Sequence, residues 1–457
     1  MGEVTRRLER MVRQTQAEAR VPALSVALHR ADRPLWTCTV GESGTQRPLD
    51  ADSQFRIGSV TKTFTAVLVM QARDDGLLDL DDPIGRFVDV PRHGETTVRR
   101  LLSHTSGWQR EPYGDVWDTL RTPDVEQLVA DLARAERVLP PGRRFHYSNL
   151  AMAVLGHAVA RLRGGTWAEV VQDRILTPLG LTHTTVHPGP TAVTGFLVDA
   201  YSDYARPEPA VDLRALAPAA GMWSTAADMA RWAAFLADPA TVDPRGEVLR
   251  PGTLDEMRWP VTVTDEAQWS TGFGLGVILL PQGNRVVHVG HDGAMPGFLA
   301  GVYGRRGGAG TPKAMGCAVL GSSGTAVATV ELPHRLLAAS AEDDPADIVA
   351  WRPGEPAPEP YRSVLGRWWS EGFEYVFFWR DGALRARAAS DPPSRPPAVF
   401  APLPDQPDVL RTVSGREVGE LLRLTRDATG RVVRMHWATY RFTRVQETFD
   451  GLPASEP

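Results

Sequence analysis

The sequence predicts an α/β domain followed by a small all-β domain. Strand-like runs lie on both sides of a long, mainly helical region from about Ser59 to Ala237. This order indicates one sheet assembled from both ends of the domain, together with a helical lobe. A proline-rich change of composition around 338–360 separates it from a block that reads almost entirely as strands. We therefore expect a first domain over residues 1–340, a linker over 341–360 and a small antiparallel β domain over 361–450.

The elements of the first domain follow from hydrophobic periodicity. Apolar residues at 4, 8, 11 and 12 fall on one face of an N-terminal helix. Two strands, 24–29 and 35–40, flank the turn-rich segment 31–34. A helix over 60–73 opens the helical region, which Pro140-Pro141-Gly142 and Gly164-Gly165 interrupt. The remaining apolar runs predict four further strands: Gly274–Leu280, Arg285–Val289, Phe298–Tyr303 and Ala314–Leu320.

The C-terminal block is defined by two hairpin signals. Strand-like runs at 375–379 and 383–388 flank Arg380-Asp381-Gly382, and runs at 421–425 and 432–440 flank the turn 427–430. Such a block of about a hundred residues fits a small antiparallel barrel or half-barrel.

Composition excludes several classes of function. The chain has 457 residues, 42% hydrophobic and 23% charged, which is typical of a soluble globular protein. A net charge of −5 with interleaved arginines does not fit a nucleic-acid partner. No apolar run is long enough to span a membrane, so we expect no membrane partner. The charged N-terminus has no secretory signal, which favours the cytoplasm, or else a mature form whose export signal was removed. Cys38 and Cys317 make no disulfide framework.

Lysine is nearly absent from the chain. Lys62 and Lys313 are its only copies among 50 lysine and arginine residues. Codon bias explains the depletion but not why Lys62 lies three residues after Ser59, where the two share a helix face. A lysine, unlike an arginine, can lose its proton, and the positive end of a helix disfavours the protonated form. Lys62 is therefore a candidate general base for a Ser59 nucleophile, although Ser-x-x-Lys alone is a weak signal.

Tyr147-Ser148-Asn149 is the second candidate element, between the break at 140–142 and a predicted helix. In a non-helical turn Tyr147 and Asn149 can face one cleft, where Tyr147 would shuttle a proton and Asn149 would hold a substrate amide or orient the lysine. The alternatives are a half-buried aromatic for Tyr147 and a helix cap for Asn149.

His291-Asp292-Gly293-Ala294 is the third candidate element and follows the predicted strand 285–289. Gly293 would let a substrate lie against the strand edge. The backbone N–H groups of Ala294 and Ser59 would form an oxyanion hole. No carboxylate or cysteine completes a metal set with the nearby histidines, so we expect no metal and no cofactor.

Together the three motifs resemble the penicillin-recognising serine acyl-enzyme family of class C β-lactamases, D-Ala-D-Ala carboxypeptidases, D-aminopeptidases and esterases. The family pattern Ser-x-x-Lys, Tyr-x-Asn, Lys/His-x-Gly occurs here in order, and the resemblance spans about Leu24 to Leu320. Leu101–Gly107 and Gly221–Thr225 also look like the family. The resemblance implies a β-lactamase/transpeptidase-like fold, an antiparallel sheet plus a helical lobe, for the first domain. His291 stands where β-lactamases carry the lysine that binds the β-lactam carboxylate, which argues against lactamase activity.

The C-terminal block resembles the lipocalin-like appendage of penicillin-binding-protein-type thioesterases. Within the family's acyl-enzyme mechanism, this implies a standalone enzyme that releases a nonribosomal peptide with a C-terminal D-residue by macrocyclisation. Its substrate would be a peptidyl thioester or ester, presented on a carrier protein in some cases. Two alternatives remain: a plain hydrolase (esterase, D-aminopeptidase or β-lactamase-like) and a catalytically inactive scaffold.

Two further residues are candidate substrate contacts. Trp223 lies in a family-like stretch. We expect it to line an apolar pocket together with Trp108, Trp117 and Trp269; the alternative for each is ordinary packing in the protein interior. Arg444 would bind a substrate carboxylate or carbonyls if the C-terminal block covers the cleft; otherwise it is a solvated charge at the end of a strand.

Overall fold

The structure is a computed structural model that describes residues 3–142, 144–308, 310–348, 350–392 and 395–448. It divides into two units, residues 1–348 and 349–457. Residues 449 and 450, the last two of the predicted β domain (361–450), lie outside the described residues. The last helix of the first unit continues to Asp343, three residues beyond the predicted end of the first domain.

An eight-stranded antiparallel sheet organises the first unit, with strand order β2-β1-β12-β11-β10-β9-β8-β7. Two-stranded pairings β3-β6 and β4-β5 lie outside it. The strands are β1 (Ala23–Arg30), β2 (Arg33–Gly41), β3 (Phe55–Arg56), β4 (Phe196–Val198), β5 (Ala205–Pro207), β6 (Trp223–Ser224), β7 (Thr262–Val263), β8 (Gly272–Phe273), β9 (Ile278–Gly283), β10 (Val286–Met295), β11 (Phe298–Arg306) and β12 (Met315–Gly321).

Helices cover both faces of this sheet. The helices of the first unit are α1 (Glu3–Glu18), α2 (Thr61–Asp74), α3 (Val98–Leu102), α4 (Val116–Thr119), α5 (Val125–Asp131), α6 (Asn149–Arg163), α7 (Trp167–Val171), α8 (Thr177–Leu179), α9 (Ala217–Ala220), α10 (Ala226–Ala237), α11 (Pro251–Met257) and α12 (Ala328–Asp343). Helices α1 and α12 pack on one face, and α10 packs on the other, beside the helical lobe that contains α2, α6 and α9.

The burial of the central strands explains their sequence. Strands β1 and β12 are buried along nearly their whole length, because one face meets α1 and α12 and the other meets α10. Continuous apolar runs are typical of strands covered on both faces. The strand order, in which β1 and β2 lie beside β12, confirms the prediction of a sheet built from both ends of the domain.

Two strand predictions of the first unit were wrong in extent. The predicted strand 285–289 continues to Met295, so the His291–Ala294 motif lies within β10 rather than after it. The predicted strand 274–280 begins only at Ile278 and follows the two-residue β8. Glycines at 274, 276, 290 and 293 lower strand propensity locally, and pairing with neighbouring strands decides where a strand ends.

The second unit is an eight-stranded antiparallel sheet in sequential order, preceded by the short helix α13 (Glu359–Arg362). Trp369 and Thr443 exchange two backbone hydrogen bonds, 2.8 and 3.0 Å, which join the first and last strand regions and nearly close a barrel. The strands are β13 (Gly366–Ser370), β14 (Phe373–Arg380), β15 (Ala383–Ala388), β16 (Ala398–Leu403), β17 (Gln406–Ser414), β18 (Leu421–Arg426), β19 (Val432–Trp437) and β20 (Tyr440–Phe442).

Both predicted hairpins of the second unit are present as β14–β15 and β18–β19. The predicted strand 432–440 was wrong as a single element. It splits into β19 and β20 at a tight turn in which Ala438 adopts a φ of +53°. Because hydrophobic alternation continues on both sides of this turn, the pattern alone does not reveal it.

No helix of the described residues is long and apolar enough to cross a membrane. Cys38 and Cys317 are free thiols on β2 and β12, half-buried and buried respectively.

Candidate active site

Ser59 and Lys62 lie at the start of the helical lobe. A single 3₁₀ turn, Gly58–Val60, holds Ser59 and leads into α2, whose first twelve residues are buried. The Lys62 Nζ atom lies 2.9 Å from Ser59 Oγ and 2.8 Å from the carbonyl oxygen of Ala219. A carbonyl only accepts, so Nζ donates a hydrogen to Ala219. A neutral amine then directs its lone pair at the Ser59 hydroxyl.

Burial makes the neutral form of Lys62 accessible. Its side chain is fully buried, and desolvation lowers its pKa from 10.5 to about 7. Glu111 opposes this change of pKa, and Arg110 adds to it. The sequence predicted that the positive end of the helix lowers the pKa of Lys62, whereas burial is the largest cause in the structure.

Tyr147 completes the cluster at Ser59. Burial raises the pKa of its phenol well above the ordinary value, and a hydrogen bond with Ser59 opposes that change. Lys62 Nζ lies 4.8 Å from the centre of its ring, and the Arg110 guanidinium lies 4.9 Å from it. The structure therefore brings Ser59, Lys62 and Tyr147 together and keeps the Tyr147 phenol protonated.

His104 positions the Tyr147 loop and was not among the residues selected from the sequence. Its ring lies 4.5 Å from the Tyr147 ring, its Nδ1 accepts the Ser148 N–H at 3.2 Å, and its carbonyl accepts the His146 N–H at 2.8 Å. Burial lowers its pKa well below the ordinary value, so the ring is neutral. The family-like stretch Leu101–Gly107 contains His104 and was the available signal for it.

Asn149 lies beside this cluster, with its amide nitrogen already engaged. Its Nδ2 donates to Glu111 Oε1 at 2.6 Å, and its backbone N–H donates to the carbonyl of Arg110 at 2.7 Å. Asn149 is the first residue of α6 and not its cap. Ser148 caps the helix by accepting the Ala151 N–H. Glu111 was also missed from the sequence, because only the fold brings it beside Asn149.

His291 faces Tyr147 from β10, with 6.0 Å between the ring centres. Its Nδ1 lies 2.6 Å from the backbone oxygen of Asp292, so Nδ1 carries the hydrogen and Nε2 offers a lone pair. Burial lowers the pKa of His291 to about 3, with Lys62 contributing. The ring is therefore neutral and offers no positive charge at this position.

Gly293 and Gly58 let β10 approach the Ser59 turn. A β-carbon on Gly293 would lie 1.9 Å from the oxygen of Ile57, and one on Gly58 would lie 2.7 Å from the nitrogen of Ala294. The approach of the Ile57 carbonyl therefore requires the glycine at 293, and the predicted contact of Gly293 with a substrate stays a prediction. This contact places the exposed Ala294 beside the Ser59 turn.

Comparison with known proteins identifies the family. Residues 8–330 match the family model described as Beta-lactamase, which covers over two thirds of the chain. This chain belongs to the beta-lactamase family. Residues 357–444 match a second model, described only as a domain of unknown function, DUF7586. Members of the beta-lactamase family are serine hydrolases.

Individual relatives cover different shares of the chain. Penicillin-binding protein 4 of Amycolatopsis lactamdurans is 33% identical over 273 residues, 56% of this chain and 69% of that protein. Beta-lactamase-like protein 2 of Dictyostelium discoideum is 28% identical over 253 residues, 51% of this chain, and the match spans only 45% of that protein. A crystal structure of SurE has a TM-score of 0.62 at 24% identity and covers 97% of this chain and 99% of that one.

Asp292 does not join the cluster in this beta-lactamase-family chain. Successive side chains of β10 alternate between the sheet faces, so Asp292 faces α12, as Tyr303 does on β11. Burial raises the pKa of the Asp292 carboxyl to about 6, and the hydroxyl of Tyr303 opposes that change. The substrate contact predicted for the Asp292 side chain therefore needs correction, because the period of a strand separates it from His291.

Trp223 also lies away from the three catalytic candidates. It is buried on β6, packs edge-on against Phe298 at 5.6 Å, and has the Arg56 guanidinium 4.9 Å from its ring centre. The cavity that it lines includes none of Ser59, Lys62 and Tyr147. Its predicted place in the substrate pocket therefore needs correction. Of the other three tryptophans, Trp108 is a core residue, whereas Trp117 and Trp269 are exposed.

Arg444 belongs to the second unit and is engaged there. Its guanidinium donates to the backbone oxygens of Ser363, Leu365 and Arg367 and lies 3.8 Å from the Trp368 ring centre. These contacts within the unit account for its half-buried position. The substrate role of Arg444 stays a prediction. Among the described residues, no group of three or more His, Cys, Asp or Glu side chains could hold a metal ion.

Proposed function

We propose that this chain is a serine acyl-transfer enzyme in which Ser59 carries the acyl group. The observation that supports this most directly is the 2.9 Å contact between Ser59 Oγ and the buried Lys62 Nζ, whose pKa is about 7. An activated serine needs a base that is neutral near the working pH and within hydrogen-bond distance of the hydroxyl. Lys62 meets both requirements.

Acylation follows from this geometry in balanced steps. The Lys62 lone pair accepts the hydroxyl proton as Ser59 Oγ attacks the carbonyl carbon of the substrate. The backbone N–H groups of Ser59 and Ala294 stabilise the oxyanion that forms. As the intermediate collapses, the bond to the leaving group breaks, and Tyr147 donates a proton to that group while taking one from the protonated Lys62. The acceptor nucleophile is then deprotonated by the reverse route.

We further propose that the acyl donor is a peptidyl thioester or ester with a C-terminal D-residue, in some cases presented on a carrier protein. The enzyme would be a standalone thioesterase that macrocyclises a nonribosomal peptide. Neutral His291 supports this, because it provides no charge for the free carboxylate that a carboxypeptidase or lactamase substrate presents. The likeness to SurE, which extends over both units and includes a crystal structure of SurE with D-Leu, also supports it. The lipocalin-like identity of the second unit belongs to this proposal.

Hydrolysis is the second candidate, as an esterase or a D-aminopeptidase. It shares every step of acylation and differs only in the acceptor, because Lys62 can deprotonate a water molecule as well as an amine. The family supports this candidate, since its members are serine hydrolases.

The two candidates differ in their product. A linear peptide of eight to ten residues, activated as an N-acetylcysteamine thioester on a C-terminal D-Leu, would be incubated with the enzyme and analysed by mass spectrometry. Cyclisation predicts a product lighter than the linear acid by one water; the matched L-Leu thioester should turn over at least tenfold more slowly. Linear acid alone would favour the hydrolase. Ser59→Ala is the control, and failure of a fluorophosphonate to label Ser59 in the folded protein would reject both candidates.

A further inference from the structure

A cavity of about 560 Å³ lies in the first unit and is lined in part by residues of α9. Its wall includes Pro218 of α9, whereas the next residue, Ala219, binds Lys62 through its carbonyl oxygen. None of Ser59, Lys62 and Tyr147 lines it. Its volume is within the range of small-molecule sites. The cavity is therefore separate from the catalytic cluster.

One buried cation faces this cavity without a carboxylate partner. Arg56 is only 8% exposed, donates one hydrogen bond to the backbone oxygen of Val211, and lies over the Trp223 ring. No ion pair of Arg56 is present among the described residues. Asp212, the acid that attracts it, is exposed at the rim. A buried charge is costly unless an opposite charge compensates it, so the cavity favours an anion beside Arg56.

The rest of the wall is suited to an apolar body. Trp167, Val186, Pro188 and Leu213 contribute apolar surface. His157 and Thr166 add polar groups to this wall, and the Nε2 atom of His157 is already bonded to the carbonyl of Ala215 at 2.8 Å. An anion held at one end by an arginine and enclosed elsewhere by apolar side chains describes an organic carboxylate better than a phosphate.

The rim leaves a path from solvent. His187, Asp212 and Arg214 border the cavity and are exposed. Arg214 is paired with Asp124 at 3.2 Å, and the Asp212 carboxylate accepts the backbone N–H of Arg214 at 3.0 Å. Arg214 therefore has an acidic partner outside the lining, and Arg56 is the arginine of the lining for which the described residues provide no ion pair.

We propose that this cavity is a binding site for a small organic carboxylate with an apolar body, separate from the acyl-enzyme site. The carboxylate pairs with Arg56, and the apolar body packs against Trp167 and Leu213. The proposal does not depend on which acyl acceptor the enzyme uses.

Calorimetric titration with 4-phenylbutyrate tests the site, using protein whose Ser59 has been blocked with a fluorophosphonate. We expect saturable binding at one site, and binding at least tenfold weaker for the neutral isostere 4-phenylbutyramide. Arg56→Gln should weaken carboxylate binding at least tenfold, whereas Arg206→Gln, at an exposed arginine on β5, should leave it unchanged.

A second variant guards against a folding defect in Arg56→Gln. Ala168→Leu narrows the cavity from α7 and leaves Arg56 in place, so it should also weaken binding. Equal affinity for the acid and the amide would overturn the proposal. Unchanged carboxylate binding by both variants, when each unfolds at the same temperature as the unmodified protein, would overturn it too. Binding that appears only when Ser59 is free would assign the carboxylate to the catalytic cleft and would overturn it as well.

Discussion

The pH dependence of Ser59 acylation follows from the burial of Lys62. An ordinary lysine would be neutral in about one molecule in 3,000 at pH 7. With a pKa of about 7, roughly half of the Lys62 side chains are neutral at that pH. Burial therefore raises the fraction of protein with a competent base by about a thousandfold. Because the neutral form is the reactive one, acylation should accelerate as the pH rises through 7 and then reach a plateau.

The assay is the pre-steady-state burst of p-nitrophenyl acetate, corrected for spontaneous hydrolysis, between pH 5 and 10. Lys62→Ala should lower the burst rate by about 10²–10⁴-fold at the plateau and remove the inflection. Lys313→Ala is a matched control, because Lys313 is the other lysine of the chain and is exposed. An inflection above pH 9 in the unmodified protein, or a Lys62→Ala rate within threefold of it, would refute the assignment of Lys62 as the base.

Further predictions concern the same site. Arg110→Gln should move the inflection to higher pH and Glu111→Gln should move it to lower pH, since the two charges act oppositely on the pKa of Lys62; equal shifts in one direction would contradict this. Lys62→Met should raise the free energy of unfolding at pH 7 in chemical denaturation, with a gain that shrinks toward pH 10. The unfolded chain keeps its lysine proton up to about pH 10.5, whereas the folded chain releases it near pH 7. The buried lysine therefore lowers the free energy of unfolding by up to about 5 kcal/mol, and Lys62→Met removes this cost. An equal gain at pH 7 and pH 10 would contradict this reasoning. Gly293→Ala should cost roughly 1–3 kcal/mol and most of the burst rate, because its β-carbon would lie 1.9 Å from a backbone oxygen, whereas Gly252→Ala, with open space around it, should change neither.

The sequence contains enough to predict the contact between Ser59 and Lys62, the candidate catalytic pair. Ser59 and Lys62 are three residues apart at a helix start, so their contact is local and independent of the remaining fold. Tyr147 is distant in sequence, and only the ordered family motifs placed it beside them. Strand alternation is also local, but it could not be applied to Asp292 while the strand was predicted to end at Val289.

Other features of the site depend on long-range contacts that no local pattern records. Burial, which sets the pKa of Lys62, comes from packing against α6 and α9. Glu111 reaches Asn149 across 38 residues of sequence. Trp223 lies in a family-like stretch, yet whether its ring faces the cleft or the opposite side is decided by the pairing of β6 with β3. Arg444 was selected for its charge, whereas three backbone oxygens of its own unit explain its position.

The place of β1 in the sheet has a consequence for biosynthesis. This strand hydrogen-bonds along one edge to β12, which is translated much later, with Leu24 opposite Gly321. The backbone nitrogen of Ala23 also pairs with Ser322, 299 residues further along the chain. At a translation rate of about 5–20 residues per second, the β1–β2 hairpin waits on the order of 15–60 s before β12 is translated. During that interval an apolar strand edge is open to other chains, so cellular yield should depend on chaperones that shield nascent polypeptides.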